Sequence, residues 1–246
     1  MLFELKILII CSVFLYLINY FQKKYNFCLD APSSKESHKI LLKLNKKVPL
    51  SGSFYFIPFI FFLTYQDNIN LFITCLLFFC IGLLSDLKIT NSPKKRLLIQ
   101  FFLLVFFLFF NNDFRIDTRI EILNLLMSYE ILRIIIISFF FLVLINGFNF
   151  IDGVNSLSSL NILIVLFFLY FLSKDINAIE IQNLVHILLI SLSVFVFFNF
   201  FGKNFLGDGG VYSLSFFLGV IVIQLSTLSE QISPYYIANL LWYPAF

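Results

Sequence analysis

The sequence predicts an all-α polytopic integral membrane protein of about eight or nine transmembrane helices. Three observations carry that expectation. The chain is 60% hydrophobic and 13% charged over 246 residues, where a soluble domain carries roughly a quarter charged residues. Its apolar stretches reach the roughly 17–25 residues needed to cross a bilayer core as helices. Its basic residues are concentrated in alternate connections between those stretches. The 36 Phe and the mean hydropathy of +0.95 agree with this class.

In chain order, the apolar segments lie at about 5–21, 48–65, 69–85, 97–110, 131–146, 156–172, 183–200 and 211–228, with a ninth beginning near 234. The first has no small-residue cleavage site after it and is read as a retained helix. The run 97–110 is short for a span and must borrow from its flanks. All of it reads as one transmembrane domain, 1–246. Because the chain stops at LLWYPAF inside an apolar run, that domain is expected to be incomplete at its C-terminus.

Eight spans sort the connections into two faces. The segments 22–47, 86–96, 147–155 and 201–210 contain twelve of the 17 Lys and Arg, including Lys43, Lys46, Lys47, Lys94, Lys95, Arg96 and Lys203. Positive charge flanking membrane spans marks the cytoplasmic side. Nine of the 14 acidic residues fall on the other face, and the five that do not are Asp30, Glu36, Asp86, Asp152 and Asp208. Asp86, Asp152 and Asp208 each stand at the end of an apolar segment.

Isolated carboxylates near a membrane are costly unless paired, metal-bound or solvated. Each of these three, taken alone, is an ordinary helix cap or turn residue. Together on one face among basic loops they suggest a site for a divalent cation and phosphates, since magnesium takes one or two carboxylates plus waters and phosphate oxygens. Gly207, Gly209 and Gly210 would allow backbone to approach a diphosphate. The Lys run at 43–47 is a topology and headgroup determinant. His38 alone reads as a solvated loop residue and His186 as a packed polar one. Cys11, Cys28, Cys75 and Cys80 have no CxxC spacing and imply neither a disulfide framework nor a zinc site.

Four stretches in this order carry a resemblance to a family: DAPSSKESHK followed by PLSGS, GLLSDLKITNSPKKRLLIQ, NGFNFIDGVNSLSS and FNFFGKNFLGDGG. From about residue 30 onward the chain resembles the polyprenyl-phosphate N-acetylhexosamine-1-phosphate transferases of glycosyltransferase family 4. The resemblance implies transfer of a sugar-1-phosphate from a UDP-N-acetylhexosamine to undecaprenyl phosphate, releasing UMP. It implies magnesium as cofactor, with manganese as the alternative ion, and membrane lipids but no nucleic acid as partners. It also implies a homodimer and a multi-pass protein of the bacterial inner membrane whose active site faces the cytoplasm. The products of such enzymes start cell-envelope glycans such as peptidoglycan or lipopolysaccharide O-antigen.

Carried over residue by residue, the resemblance makes Asp86, Asp152 and Asp208 catalytic, with Asp208 and Asp86 on the metal. His38, Lys39, Arg96, Asn146, Asn149 and Lys203 are expected at the substrates. The chain departs from the pattern in three places. Ser85 replaces the first of an acidic pair, Asn155 replaces a second Asp after Asp-Gly, and a late loop rich in His and Arg is absent from the sequence. A catalytically degenerate or fragmentary relative is therefore an alternative reading. A small-solute transporter is a further one, disfavoured because its ionisable residues belong near mid-membrane.

Overall fold

The computed structural model describes residues 2–30, 47–64, 68–90, 92–111, 114, 116–152, 156–229 and 232–233. In chain order these form α1 (Leu2–Lys24), β1 (Leu29–Asp30), β2 (Val48–Pro49), α2 (Gly52–Thr64), α3 (Ile69–Asp86), α4 (Pro93–Phe110), α5 (Glu121–Ser128), α6 (Glu130–Ile151), α7 (Leu157–Asp175), α8 (Ile179–Phe200) and α9 (Gly207–Leu228). The protein is an all-α polytopic membrane protein, and six of its described helices (α1, α3, α6, α7, α8 and α9) are long and apolar enough to cross a membrane. The expected short run 97–110 is lengthened at its start, where Pro93 opens α4 ahead of Lys94, Lys95 and Arg96.

Several boundaries differ from the sequence expectation for identifiable reasons. The segment 48–65 begins as strand, because Val48 and Pro49 pair antiparallel with Asp30 and Leu29. That leaves α2 with 13 residues, about 20 Å of rise. Residues 147–151, expected in a loop, continue α6 to Ile151. The polar side chains do not break that helix, because Asn146 Nδ2 donates to the Leu142 carbonyl one turn back at 2.8 Å. On the other face, Glu121–Ser128 forms the short helix α5 inside an expected connection. Asn124 fixes its approach, accepting from Thr118 N at 2.9 Å and donating to Asp117 Oδ1 at 2.6 Å.

α9 is the axis of the bundle. Of its central span 72% is buried, against 11% for the peripheral α1. Lipid tails are as apolar as the side chains they would replace, so close packing and interhelical hydrogen bonds hold such helices together. Phe216 of α9 meets Phe78 of α3, Phe107 of α4 and Phe141 of α6 with ring centroids 4.8, 5.1 and 5.3 Å away. Tyr55 of α2 donates its hydroxyl to the Ser191 carbonyl of α8 at 3.0 Å. Ser159 of α7 donates to Asn199 Oδ1 of α8 at 2.7 Å, and Asn199 Nδ2 donates to the Asn204 carbonyl at 2.6 Å.

One end of the bundle is tied together by backbone. Phe205 N donates to the Pro49 carbonyl at 2.8 Å, Gly52 N to the Phe205 carbonyl at 3.2 Å, and Leu50 N to the Cys28 carbonyl at 3.0 Å. Gln22 Nε2 of α1 reaches the Leu50 carbonyl at 3.2 Å. The described parts of the basic connections after α1, α3 and α8 thus meet at that end, which is the face the charge pattern assigned to them.

Candidate active site

The site is built where the C-terminus of α3 meets the N-terminus of α9. The contact is closer than side chains allow. A Cβ at Gly82 would lie 2.3 Å from Gly209 Cα, and one at Gly209 would lie 2.7 Å from Ser53 Oγ of α2. Gly207 has φ +73°, the left-handed backbone that glycine adopts freely, and it turns the chain from the 201–206 loop into α9.

Asp86 meets that helix end head-on. Its Oδ1 accepts from Asp208 N at 2.9 Å and its Oδ2 from Gly209 N at 3.3 Å. The residue preceding α9, Leu206, offers no side-chain cap, so a carboxylate from a different helix does the capping. The first amides of a helix lack intrahelical partners and carry partial positive charge, which makes them natural anion sites. Asp86 holds α9 by charge-assisted bonds and so sets the position of Asp208.

Asp208 projects from the first turn of α9, half-buried, beside Arg96 of α4. Arg96 Nη1 donates to Asp208 Oδ2 at 2.8 Å with the two side chains 21% and 26% exposed. Ser85 Oγ donates to the same oxygen at 2.5 Å, and Arg96 Nη1 also contacts Ser85 Oγ. The Nε of Arg96 is buried without a hydrogen-bond partner among the described residues.

One turn further from the surface lies a second polar layer. Gln100 of α4 is fully buried, and its Oε1 accepts from Asn146 Nδ2 of α6 at 3.0 Å. Asn149 Nδ2 points at the buried Tyr212 hydroxyl of α9 at 3.5 Å. Gln100 follows Arg96 by four residues and Tyr212 follows Asp208 by four, so each lies directly beneath its neighbour on the same helix face. Sequence reasoning did not name Gln100 or Tyr212 as site residues, and it met Ser85 only as a replacement for an acid. That four-residue spacing of polar groups inside apolar runs was the available signal for the first two.

The expected residues are thus placed as follows. Asp86, Asp208 and Arg96 come together in one bonded cluster, and Asn146 and Asn149 underlie it through Gln100 and Tyr212. Asp152 is the half-buried C-cap of α6, its N–H donating to the Asn149 carbonyl at 3.3 Å. Lys203 is exposed on the loop before α9, its ammonium 5.6 and 5.8 Å from the centroids of Phe198 and Phe201. His38, Lys39 and Asn155 lie outside the described residues.

Beside Arg96, a groove of about 450 Å³ opens between α4 and α6, lined by Pro93, Lys94, Arg96, Leu97, Leu98 and Asn146. Its walls are largely apolar, and Lys94, Arg96 and Asn146 are its polar lining residues. Cys28, on the loop that binds Leu50, is buried, and burial with the nearby Asp86 charge pushes its thiol up to about 12.

A comparison with known families matches the part of the chain that carries these residues. The family described as glycosyl transferase family 4 matches residues 68–226, more than half of the chain. The chain belongs to glycosyl transferase family 4. The match contains Ser85, Asp86, Arg96, Asn146, Asn149, Asp152, Lys203 and Asp208. This family 4 chain is also 24% identical over 187 residues to a phospho-N-acetylmuramoyl-pentapeptide-transferase of Dictyoglomus thermophilum, covering 71% of the chain and 58% of that relative. It therefore spans a little over half the relative's length.

The donor set suits a hard divalent ion. Asp208 presents an oxygen at a half-exposed position with Asp86 immediately behind it. Such ions need only one or two carboxylates when phosphates and water complete the shell. No group of three or more His, Cys, Asp or Glu side chains that could hold a metal occurs among the described residues.

Proposed function

We propose that this chain transfers N-acetylhexosamine 1-phosphate from a UDP-sugar to undecaprenyl phosphate, on the cytoplasmic face of a bacterial inner membrane. The observation that carries the reading is the Asp86–Asp208–Arg96 cluster at the basic end of the bundle, in a chain of family 4. A lipid-phosphate oxygen attacks the phosphorus that bears the sugar. The bond from that phosphorus to the UMP oxygen breaks, and UMP leaves with the electron pair.

Each residue has a task on this reading. Arg96 stands between the apolar groove and Asp208, where its planar fork can hold the diphosphate of the nucleotide sugar. Lys94 lines the same groove and adds positive charge for the acceptor. Asp208 is the residue to hold magnesium or manganese, with Asp86 as the second carboxylate and as the brace for α9. The ion, when bound, neutralises the diphosphate and favours departure of UMP. Asn146 and Asn149, supported by Gln100 and Tyr212, shape the floor, while Asp152 and Lys203 stand on the connections around the nucleotide; His38 and Lys39 are assigned to the substrates on the family resemblance alone. Ser85 leaves no second acid to deprotonate the acceptor. A phosphate monoester with a second pKa of about 6 is largely ionised at neutral pH, so the attack does not require one.

A non-catalytic relative is the second reading, favoured by Ser85 in place of an acid. A transfer assay separates the two. The purified 246-residue chain in detergent is incubated with undecaprenyl phosphate, magnesium and a panel of radiolabelled UDP-sugars. Labelled lipid product and released UMP are expected. No product with any donor, from protein that still binds UDP, would leave the non-catalytic reading standing.

A further inference from the structure

The carboxylate that the proposed chemistry needs is already engaged. Asp208 Oδ2 receives Ser85 Oγ and Arg96 Nη1, while the two oxygens of Asp86 each receive a backbone N–H. Three of the four carboxylate oxygens in the cluster therefore already hold donors. Two acids, one guanidinium and one hydroxyl leave only a single net negative charge. A dication arriving alone must displace a charge-assisted pair and finds few protein ligands in return.

A diphosphate changes that balance. It offers Arg96 oxygens that match its fork better than one carboxylate oxygen does, and the buried Nε of Arg96 has a donor direction unused among the described residues. Once Arg96 turns to the phosphate, Asp208 Oδ2 is released. The diphosphate itself supplies the oxygen ligands that a hard dication prefers to share with water.

We propose that Ser85 and Arg96 keep this site charge-poor, so that the divalent ion and the nucleotide diphosphate bind as a unit and neither binds well alone. Arg96 is the switch, moving from Asp208 to phosphate as the ion takes its place. Ser85 is a positioning residue, because a neutral side chain there leaves Arg96 paired with Asp208 alone among the described acids. This rests on the reading that the site takes a UDP-sugar with a divalent cation. By linkage, the factor by which UDP tightens the ion equals the factor by which the ion tightens UDP.

Mn2+ binding to the full chain in detergent, followed by electron paramagnetic resonance with and without UDP, tests the inference without turnover. Wild type is expected to bind Mn2+ weakly alone and about tenfold or more tightly with UDP, within the usual range of coupling between two ligands. Ser85→Asp gives Arg96 its own carboxylate, so Mn2+ alone should bind about tenfold more tightly, with a smaller gain from UDP. Arg96→Gln should also tighten Mn2+ alone and abolish the gain. Equal Mn2+ affinity with and without UDP in wild type, or folded Ser85→Asp and Arg96→Gln chains both matching wild type, would overturn the coupling while leaving a cation–nucleotide site. No Mn2+ binding with UDP in any folded chain would overturn both.

Discussion

Gly82→Ala adds one methyl group at the point where α3 meets the start of α9. The new carbon would lie 2.3 Å from both Cα and N of Gly209 and 2.5 Å from the carbonyl carbon of Asp208. Carbon contacts settle at about 3.5–4.0 Å, so the helices must part by about 1 Å. All three neighbouring atoms are backbone, and no rotamer change relieves them. Overpacking of this kind costs about 1–3 kcal/mol. The same movement takes Asp208 away from Asp86 and Arg96, and a misplacement of about 1 Å in a reacting constellation can cost about 10²-fold in rate. Gly219→Ala is the control, on the same helix about three turns from Asp208. Its methyl would meet Phe141 Cε1 at 2.6 Å and Leu144 Cδ2 at 2.9 Å, both side-chain ends that can rotate. Thermal midpoints in detergent and transfer rates are measured on both. Both should lose stability, and only Gly82→Ala should lose about two orders of magnitude in transfer. Wild-type turnover in Gly82→Ala, or equal loss of turnover in the two, would refute the claim that this contact positions the site.

Three further perturbations read other parts of the account. Asp86→Asn swaps one acceptor oxygen for a donor facing a helix N–H. It should cost about 2–4 kcal/mol, with stability and transfer falling together; loss of transfer at unchanged thermal midpoint would deny Asp86 its capping role. Gln100→Leu should cost about 1–3 kcal/mol by leaving Asn146 a partner short, and Gln100→Leu with Asn146→Leu should recover part of it. Strict additivity of the two losses would mean that the pair does not interact. Cys28 should resist a maleimide at pH 8 in the folded chain and react once denaturant is added, because its thiol is buried and pushed up to about 12. Rapid labelling of Cys28 by mass spectrometry in the folded state would show that the loop around Leu50 is open.

Much of this architecture was legible in the chain. Long apolar runs marked α1, α3, α6, α7, α8 and α9, because a bilayer core demands about 20 apolar residues whatever the fold. The uneven placement of Lys and Arg gathered the connections after α1, α3 and α8 at one end, and Asp86, Arg96 and Asp208 met there. The illegible features are those that depend on a partner distant in sequence. Val48 and Pro49 look like the start of an apolar helix until Leu29 and Asp30 claim their backbone. Asp86 looks like a free acid at a helix end, because nothing local shows that the amides of Asp208 and Gly209 occupy both its oxygens. The role of Gly82 likewise exists only against Gly209, 127 residues later in the numbering. Asn149 reads as a loop residue, and Asn146 as the last residue of its span, because polarity in an apolar chain resembles an exit from the membrane. Here they face Gln100 and Tyr212 inside the bundle.

The central claim is that Asp208 holds the reacting diphosphate through a divalent ion. Asp208→Asn keeps the size of the side chain and an acceptor oxygen, and removes the charge. The measurement is transfer of labelled sugar-1-phosphate to undecaprenyl phosphate by Asp208→Asn beside wild type, on chains of matched thermal midpoint. The account predicts lipid product from wild type and none from the folded variant at any magnesium concentration. Product formed by Asp208→Asn at the wild-type rate would contradict it.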